Sequence, residues 1–489
     1  MIDNTLKDLL NKEKSRLNND IELIASENYP SQDILDLEGS VASVKYAEGY
    51  PAKRHYAGCE VIDKIENYAI DKAKELFQVN FANVQPLSGT HANTCAYYAF
   101  AKPGKFDNQR ILSMSLDDGG HLSHGCKFTH SGTFYNFEHY TLTNESISLF
   151  NIMKKLYKFN PRILVVGFSA YSKRVDFQKI REIVDRYNKM WERVTADIFK
   201  NRESTPIENG WHTLCQRYEG YRECPAYDVK KGDTAESFYA RHKCILMVDM
   251  AHFAGFVAAH LWKDKYDPTK WADVVTTTTH KTLRGPRSAL ILWNDETYTP
   301  WINQAVFPAN AGGPNEAHIA AKAQCFIEAL QSKYRVYMEQ VYRNMQALLK
   351  GIRSQDPDEH IRFIAGGSEN HLALLDIRGT GLLGQEAEDR LHSYGIITNK
   401  NMIAGDVSPS KCTGLRIGTA AITTRGFTEG MCYELGKCIV DILNKNNTPE
   451  GTVDFLDEKI KQTVKMSLEK VGDFYVPKNM ALPNPDNIA

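Results

Sequence analysis

The chain has 489 residues, of which 42% are hydrophobic and 24% are charged, and this composition is typical of a soluble globular protein. Its 60 acidic and 59 basic residues give a net charge of -1, which argues against binding to nucleic acid or to an anionic membrane surface. The length exceeds what one hydrophobic core usually supports, so we expect two domains.

The N-terminus and the cysteines indicate the compartment. Residues 1–20 lack the apolar run of a signal peptide and contain acids that a transit peptide would avoid. No apolar stretch approaches the roughly 20 residues of a membrane span. Ten cysteines are scattered without a repeated short spacing, which favours reduced thiols over a disulfide framework. We therefore expect a soluble, cytoplasmic protein that acts on small molecules.

Short apolar runs alternate along the chain with segments of helical period, a pattern typical of a parallel sheet covered by helices. The clearest helical periods are at 93–102, 319–350 and 428–444. The apolar runs that predict strands buried on both faces, as in a parallel sheet, are at 163–166, 244–248 and 289–293.

The character of the sequence changes after residue 350, where Gly366-Gly367 leads into the apolar run 371–376. We therefore expect an N-terminal arm over 1–45, a large domain over 46–330, and a smaller C-terminal domain with a tail over 331–489. The segment at about 190–243 is polar, rich in Arg, Glu and Tyr, and without a clear period. It predicts an inserted surface excursion.

Lys281 and Asp249 are the first candidates for chemistry. Lys281 follows four threonines and His280 at the predicted end of a strand, where a lysine could form a covalent bond with an aldehyde, although most lysines are only solvated surface charges. Asp249 ends the strand predicted at 244–248, so its carboxylate is expected at the edge of the sheet where ligands bind. A buried carboxylate needs a partner, and the protonated ring nitrogen of pyridoxal phosphate is one. The 32 positions between them (281 minus 249) accommodate a crossover helix and a second strand.

Two further segments offer groups that bind anions. Ser88-Gly89-Thr90 precedes a predicted helix, so its hydroxyls and free backbone N–H groups either only cap the helix or also hold a phosphate. Arg416 lies between Gly414 and Gly418, and its planar guanidinium suits either a substrate carboxylate or a plain salt bridge.

Five segments resemble the serine hydroxymethyltransferase family, and they occur in the family's order along nearly the whole chain apart from 190–243. They are Ile21–Asn28, Tyr46–Pro51, Gly119–Leu122, Val248–His252 and Thr279–Leu283. The resemblance implies an α/β enzyme of fold type I, with an aspartate aminotransferase-like large domain and a smaller α/β C-terminal domain. It also implies pyridoxal phosphate as cofactor and the reversible transfer of the serine hydroxymethyl group to tetrahydrofolate, giving glycine and 5,10-methylenetetrahydrofolate.

The same resemblance implies a role for each candidate residue. Lys281 would carry the cofactor, Asp249 would pair with its ring nitrogen, His121 would stack on its ring, and Glu48 would handle protons near the substrate. The other residues implied to bind the cofactor are Ser88, Gly89, Thr90, Ser169, His252, His280 and Gly313. Those implied to bind the amino acid are Ser26, Tyr46, Glu48, Tyr56 and Arg416. Those implied to contact folate are Glu48, His55, Leu116, Gly120, Leu122 and Asn401.

The resemblance further implies a homodimer with shared active sites, in which Tyr46 and Gly313 reach across from the other subunit. A tetramer of such dimers stays open. Neither nucleic acid nor a membrane is expected as a partner.

Four departures from the family pattern keep other functions open. His55 stands where the family usually has a tyrosine, Asp117-Asp118 replaces a pair such as Ala-His, 309–311 replaces a glycine-rich stretch, and Ala420 replaces a proline. The departures around His55 and Asp117 motivate a second hypothesis, a folate-independent aldolase or transaldolase of β-hydroxy amino acids. A third hypothesis is a non-catalytic paralogue that uses its insertion as an interaction surface. Against the third stands the joint presence of Glu48, His121, Asp249, Lys281 and Arg416.

A metal site is a weaker interpretation of two histidine and cysteine groups, and we expect none. The first group is His121, His124, Cys126 and His130, and the second is His212, Cys215, Cys224 and His242. Nitrogen and sulfur ligands at short spacing suit zinc, but the first group lacks a matching second half.

Overall fold

The computed structural model describes residues 2–103, 109–202, 233–444 and 453–471. Its strands are β1 Ile21–Glu22, β2 Gly49–Tyr50, β3 Lys53–Arg54, β4 Phe81–Asn83, β5 Arg110–Met114, β6 Asn136–Tyr140, β7 Leu142–Thr143, β8 Ser146–Ile147, β9 Ile163–Gly167, β10 Ile245–Asp249, β11 Val274–Thr278, β12 Ala289–Trp293, β13 Arg362–Phe363, β14 Leu372–Asp376, β15 Ile396–Ile397, β16 Asn399–Asn401 and β17 Gly414–Gly418. Its α-helices are α1 Asn4–Asn19, α2 Gln32–Glu38, α3 Glu60–Phe77, α4 Gly89–Ala101, α5 His130–Phe134, α6 Leu149–Phe159, α7 Phe177–Arg202, α8 Ala235–His242, α9 Ala254–Ala258, α10 Thr299–Gln304, α11 Glu316–Leu330, α12 Ser332–Gln355, α13 Gly384–His392, α14 Ala420–Thr424, α15 Glu429–Leu443 and α16 Val453–Val471.

The larger sheet has seven strands in the order β4-β12-β11-β10-β9-β5-β6, and β11, β10, β9, β5 and β6 run parallel. Alternate side chains of its central strands enter two different cores. Leu164 and Val166 of β9 pack in one core, whereas Ile163 and Val165 pack in the other. Burial on both faces explains the continuous apolar runs, and the strands predicted at 163–166 and 244–248 are confirmed.

The strand predicted at 289–293 is present, but the expectation that it runs parallel to its neighbours is wrong. This strand, β12, pairs antiparallel with both β11 and β4. The connection of residues 279–288 is shorter than the roughly dozen residues that a parallel crossover needs, so the chain can only turn back.

The smaller sheet, in the order β13-β14-β17-β16, is antiparallel throughout and packs with α12 and α15 in a core of its own. Within the predicted N-terminal arm, β1 pairs in parallel with β15, and Ile21 and Leu23 enter that same core. The helical period predicted at 319–350 is divided at Gln331, whose backbone is extended. The division lets α11 pack on α3 while α12 packs on α15.

The first part of the predicted excursion is helical, and it was missed in the sequence. Helix α7 continues through 190–202, and its buried side chains Trp191, Val194 and Ile198 follow helical spacing among charged neighbours. Helix α8 covers 235–242 and begins with a capping box of Thr234 and Ser237.

The sequence predicts neither a membrane span nor a disulfide framework, and both predictions can be compared with the described residues. No helix in the described ranges combines the length and the apolarity that crossing a membrane requires. The cysteines in those same ranges are all unpaired, as their scattered spacing predicts.

Candidate active site

A cavity of about 650 Å³ lies at the carboxyl ends of β5, β9, β10 and β11 and is closed from the other side by β16 and β17 of the smaller sheet. This edge of a parallel sheet is where α/β enzymes bind ligands. Most of the predicted site residues line it, and these are Ser26, Ser88, Gly89, Thr90, Leu116, Gly120, His121, Leu122, Ser169, Asp249, His252, His280, Lys281, Asn401 and Arg416.

Asp249 is the last residue of β10, and its carboxylate is buried. Oδ2 accepts hydrogen bonds from Asn93 Nδ2 at 2.9 Å and from His124 Nε2 at 3.0 Å. Burial disfavours the charged form, but the hydrogen bond and charge of His124 and the nearby Lys281 outweigh it and hold the pKa of Asp249 below its usual value. The residue is therefore a fixed negative charge in the cavity.

Lys281 lies three residues beyond the end of β11, and its side chain is buried. Burial lowers the pKa of Lys281 to about 8, although the charge of Asp249 acts in the opposite direction. The backbone carbonyl of Lys281 accepts a hydrogen bond from Asn28 Nδ2 at 2.9 Å, which fixes the position of the lysine. A substantial fraction of its amine is neutral near physiological pH, as a nucleophile requires.

Three histidines of the cavity are held uncharged. Burial lowers the pKa of His121 to about 4 and that of His280 to about 3, and it lowers the pKa of His252 well below its ordinary value. His280 Nδ1 is buried and has no hydrogen-bond partner among the described residues. A ligand with a polar group in this cavity would supply that partner.

The N-terminus of α4 lies beside these histidines. Ser88 is its N-cap, and the Ser88 hydroxyl accepts a hydrogen bond from the backbone N–H of His91 at 3.2 Å. A Cβ atom at Gly89 would lie 2.7 Å from Thr278 Cγ2, so glycine lets α4 begin close to β11. The first N–H groups of the helix and the Thr90 hydroxyl form an anion site at the wall of the cavity.

Arg416 faces the cavity from β17, across from Lys281. Its Nη1 donates to the carbonyl of Ser169 at 2.8 Å and its Nε donates to Asn399 Oδ1 at 3.1 Å. Burial lowers the pKa of Arg416 to about 10, so it still carries its charge at neutral pH. Both partners are neutral, and in the described part of the chain Arg416 forms no salt bridge. It is therefore available for a carboxylate.

Five predicted site residues do not line this cavity, namely Tyr46, Glu48, His55, Tyr56 and Gly313. They form a second cluster around the hairpin of β2 and β3. The rings of Tyr46 and Tyr56 lie 5.2 Å apart, the charge of Glu48 raises the pKa of Tyr56, and Gly313 lies against the Tyr46 ring. Tyr46 and Tyr56 are 56% and 45% exposed. The cluster thus presents its polar groups outward.

Three residues with a direct role in the geometry were missed in the sequence. Asn93 and His124 hold the Asp249 carboxylate, and Asn399 orients Arg416. His124 was considered only as a metal ligand, but its Nε2 is committed to Asp249. Of the second histidine and cysteine group, His242 stacks on Trp191 with ring centroids 4.1 Å apart, and His212, Cys215 and Cys224 lie outside the described residues.

The cavity fits pyridoxal phosphate on three structural grounds. Asp249 offers a permanent negative charge for the ring nitrogen, the start of α4 offers donors for the phosphate, and His280 Nδ1 lacks a partner. A mostly parallel sheet with Asp249 and Lys281 at the carboxyl ends of neighbouring strands defines a fold type I pyridoxal-phosphate enzyme.

Comparison with known sequences identifies the family. A family model described as serine hydroxymethyltransferase matches residues 1–198 and 233–439. The chain is 42% identical over 468 residues to the serine hydroxymethyltransferase of Lactobacillus gasseri, covering 95% of this chain and 97% of the relative. It is 41% identical over 433 residues to that of Lacticaseibacillus casei, covering 88% and 90%, and 40% identical over 462 residues to that of a Psychrobacter species, covering 94% and 93%. The chain belongs to the serine hydroxymethyltransferase family, and the segment 199–232 lies outside the family match.

Proposed function

We propose that the protein is a pyridoxal-phosphate-dependent serine hydroxymethyltransferase that transfers the hydroxymethyl group of serine to tetrahydrofolate. The observation that carries the proposal is the placement of Lys281, Asp249 and Arg416 around one cavity in a chain of this family. The reaction is reversible and gives glycine and 5,10-methylenetetrahydrofolate.

Each residue of the cavity has a task in this proposal. Arg416 binds the substrate carboxylate together with Ser26, because its guanidinium is charged and without a carboxylate partner in the described ranges. Lys281 would carry the cofactor through Nζ, and its free amine, with a pKa of about 8, can hold or release one proton near neutral pH. When bound, pyridoxal phosphate supplies an electron sink that stabilises negative charge on the α-carbon of the amino acid.

The remaining residues hold the cofactor or the second substrate. Asp249, held ionised, would pair with the protonated ring nitrogen, and His121, uncharged by burial, would pack on the ring. The cofactor phosphate is held by Ser88, Gly89, Thr90 and His280, with Ser169 and His252 as further contacts. Tetrahydrofolate would contact Leu116, Gly120, Leu122 and Asn401, which also line the cavity.

The second cluster favours a homodimer with shared sites. Five residues with an implied role at the active site lie outside the cavity of their own chain, namely Tyr46, Glu48, His55, Tyr56 and Gly313. In a homodimer these residues complete the cavity of the partner subunit. Val41 and Val44, which precede the cluster in sequence, are 89% and 85% exposed, and a subunit interface would cover them. In the dimer Glu48 then handles the proton of the serine hydroxyl, and His55 and Gly313 approach folate and cofactor. A tetramer of two such dimers is compatible with this arrangement, and the scattered cysteines favour a cytoplasmic location.

The experiment that tests this function starts from the protein loaded with pyridoxal phosphate. Reduction with borohydride followed by peptide mapping should locate the cofactor on Lys281, and Lys281→Ala should neither carry it nor convert serine to glycine. Lys400 also lines the cavity, so Lys400→Ala is the matched control and should stay labelled on Lys281. A label on Lys400, or full conversion of serine by Lys281→Ala, would contradict the proposal.

A further inference from the structure

Lys322 is a buried lysine that has no task in the proposed function. It lies in α11, is 1% exposed, and does not line the active-site cavity. Burial lowers the pKa of Lys322 to about 7, although the charges of Glu66 and Glu316 act in the opposite direction, so the burial of this amine is unfavourable. Within the described ranges Lys322 forms no salt bridge. The hydrogen bonds of its amine must therefore offset the cost of burying it.

The amine of Lys322 binds the main chain of two different segments. Nζ donates to the carbonyl of Val84, to that of Pro86 at 3.3 Å and to that of Ala289 at 3.1 Å. Val84 and Pro86 belong to the loop between β4 and α4, whereas Ala289 is the first residue of β12. The hydroxyl of Ser288 also donates to the Pro86 carbonyl, at 3.1 Å. Lys322 and Ser288 therefore hold this loop against the start of β12.

Both segments lead to the part of the active-site cavity where the anion site lies. The loop ends at Ser88, the N-cap of α4, and Ala289 pairs with Thr278, two residues before His280. Ser88 and His280 both line the cavity. A Cβ atom at Gly89 would lie 2.7 Å from Thr278 Cγ2, so the start of α4 and the end of β11 are in close contact. A small shift of the loop relative to β12 would therefore change the spacing between the donors of α4 and His280.

We infer that Lys322 is a positioning residue for the phosphate of the cofactor, because it fixes the spacing between the start of α4 and His280. Lys322 lies outside the cavity, so it acts through the main chain and not by contact with the phosphate. Without Nζ, three carbonyls lose a buried donor, and the loop can move away from β12 to reach other donors. The inference rests on the proposed function, because it requires that pyridoxal phosphate binds in this cavity.

The test compares pyridoxal phosphate with pyridoxal, which carries the same aldehyde without the phosphate. Each compound is titrated into the cofactor-free protein, and absorbance gives the two dissociation constants. Lys322→Met keeps a side chain of similar length and removes the donor. It should weaken the binding of pyridoxal phosphate by about tenfold or more and that of pyridoxal by less than about twofold, because only the donors to the phosphate are displaced.

Asn344→Leu is the matched control for the loss of a buried donor. Asn344 is 0% exposed, and its Nδ2 donates to the Phe427 carbonyl at 2.8 Å and to the Thr423 hydroxyl at 2.9 Å. None of these three residues lines the active-site cavity. Asn344→Leu should lower the free energy of unfolding, measured with denaturant, and leave both dissociation constants unchanged.

Ser288→Ala is a milder change to the same contact, since it removes one hydrogen bond to Pro86 and leaves Lys322 in place. It should weaken the binding of pyridoxal phosphate by several-fold and that of pyridoxal by less than about twofold. This variant decides the question if Lys322→Met does not fold.

Equal weakening of both compounds in Lys322→Met, or unchanged affinity for pyridoxal phosphate, would overturn the inference, since a purely structural role has no preference for the phosphate. If Lys322→Met does not fold, the same two results in Ser288→Ala overturn it. In both cases the proposed function stands as long as the wild-type protein binds pyridoxal phosphate more tightly than pyridoxal. Wild-type protein that binds neither compound would contradict the proposed function and this inference together.

Discussion

Burial brings the amine of Lys281 close to losing its proton at neutral pH. The pKa of about 8 is the result of desolvation, which lowers it, and of the Asp249 charge, which raises it. We predict that the rate at which cofactor-free protein attaches pyridoxal phosphate rises with pH through a midpoint near 8. Asp249→Asn should move the midpoint to lower pH, since the charge that retains the proton is gone. Stopped-flow absorbance measures both, with Lys400→Ala as control. A midpoint near 10.4, the ordinary value for lysine, would contradict this prediction.

Arg416 offers a second test at the level of one residue. Its two hydrogen-bond partners in the structure, Ser169 and Asn399, are neutral, so its charge is available for the carboxylate of serine. We predict that Arg416→Lys raises the KM for serine by roughly 10- to 100-fold, because a planar two-point contact is lost, and that Arg416→Ala raises it further. Steady-state kinetics checks this, and the KM for tetrahydrofolate serves as the internal control. An equal rise in both KM values would indicate general distortion of the site.

The positions of Lys281 and Asp249 at strand ends could be predicted from the sequence, whereas the residues that contact them could not. Asp249 ends an apolar run and Lys281 follows a run of threonines, so their place at strand ends could be inferred locally. The residues that bind the Asp249 carboxylate could not be inferred in this way. His124 lies 125 positions from Asp249 in a loop, and Asn93 lies 156 positions from it in the interior of a helix. No local pattern distinguishes an asparagine that binds a carboxylate from one that faces solvent.

At the scale of elements, the start of α4 has two tasks that can be separated. Ser88 caps α4 beside the cavity, and Ser148 caps α6 in the same way by accepting from the Asn151 N–H at 3.2 Å. We predict that Ser88→Ala and Ser148→Ala each lower the free energy of unfolding of the cofactor-free protein by about 1 kcal/mol. Only Ser88→Ala should also weaken binding of pyridoxal phosphate. Denaturant unfolding and cofactor titration measure the two effects. Equal cofactor affinity in both variants would contradict a phosphate site at α4.

Three buried strands and three helical segments could be predicted from the sequence, but their directions and breaks could not. The apolar run at 289–293 identifies a buried strand but does not say whether that strand runs parallel or antiparallel to its neighbours. The short connection before β12 makes it antiparallel to β11. The period at 319–350 continues through Gln331, although the helix is interrupted there and α12, unlike α11, extends into the core of the smaller sheet. In 190–202, charged residues between Trp191, Val194 and Ile198 made the helical period of the apolar residues in α7 difficult to recognise.

At the scale of the whole molecule, the division of the predicted site into two places is the strongest argument for a dimer. If Glu48 completes the cavity of the other subunit, two inactive variants should complement each other. We predict that mixing Lys281→Ala and Glu48→Gln subunits, after exchange, restores about a quarter of wild-type activity, because half of the dimers then contain one intact site. Neither variant alone should show this activity. If the mixture stays inactive although exchange is confirmed by mass spectrometry, Glu48 acts within its own chain.

The hairpin of β2 and β3 also shows a limit of sequence interpretation. The motif 46–51 could be recognised by resemblance, but whether its residues reach their own cavity depends on the packing of the whole chain. The structure places them in and beside the hairpin of β2 and β3, outside the cavity that Lys281 lines, and no spacing in the sequence indicates this.

The central claim, hydroxymethyl transfer to tetrahydrofolate, is tested most directly by following the hydroxymethyl carbon of serine. The cofactor-loaded protein would be given serine isotopically labelled at that carbon, with and without tetrahydrofolate, and the products separated by mass spectrometry. We predict label in methylenetetrahydrofolate in amounts equal to the glycine formed, and little glycine without tetrahydrofolate. Equal rates of glycine formation in both conditions, with the label released as free aldehyde, would contradict the claim and favour a folate-independent aldolase.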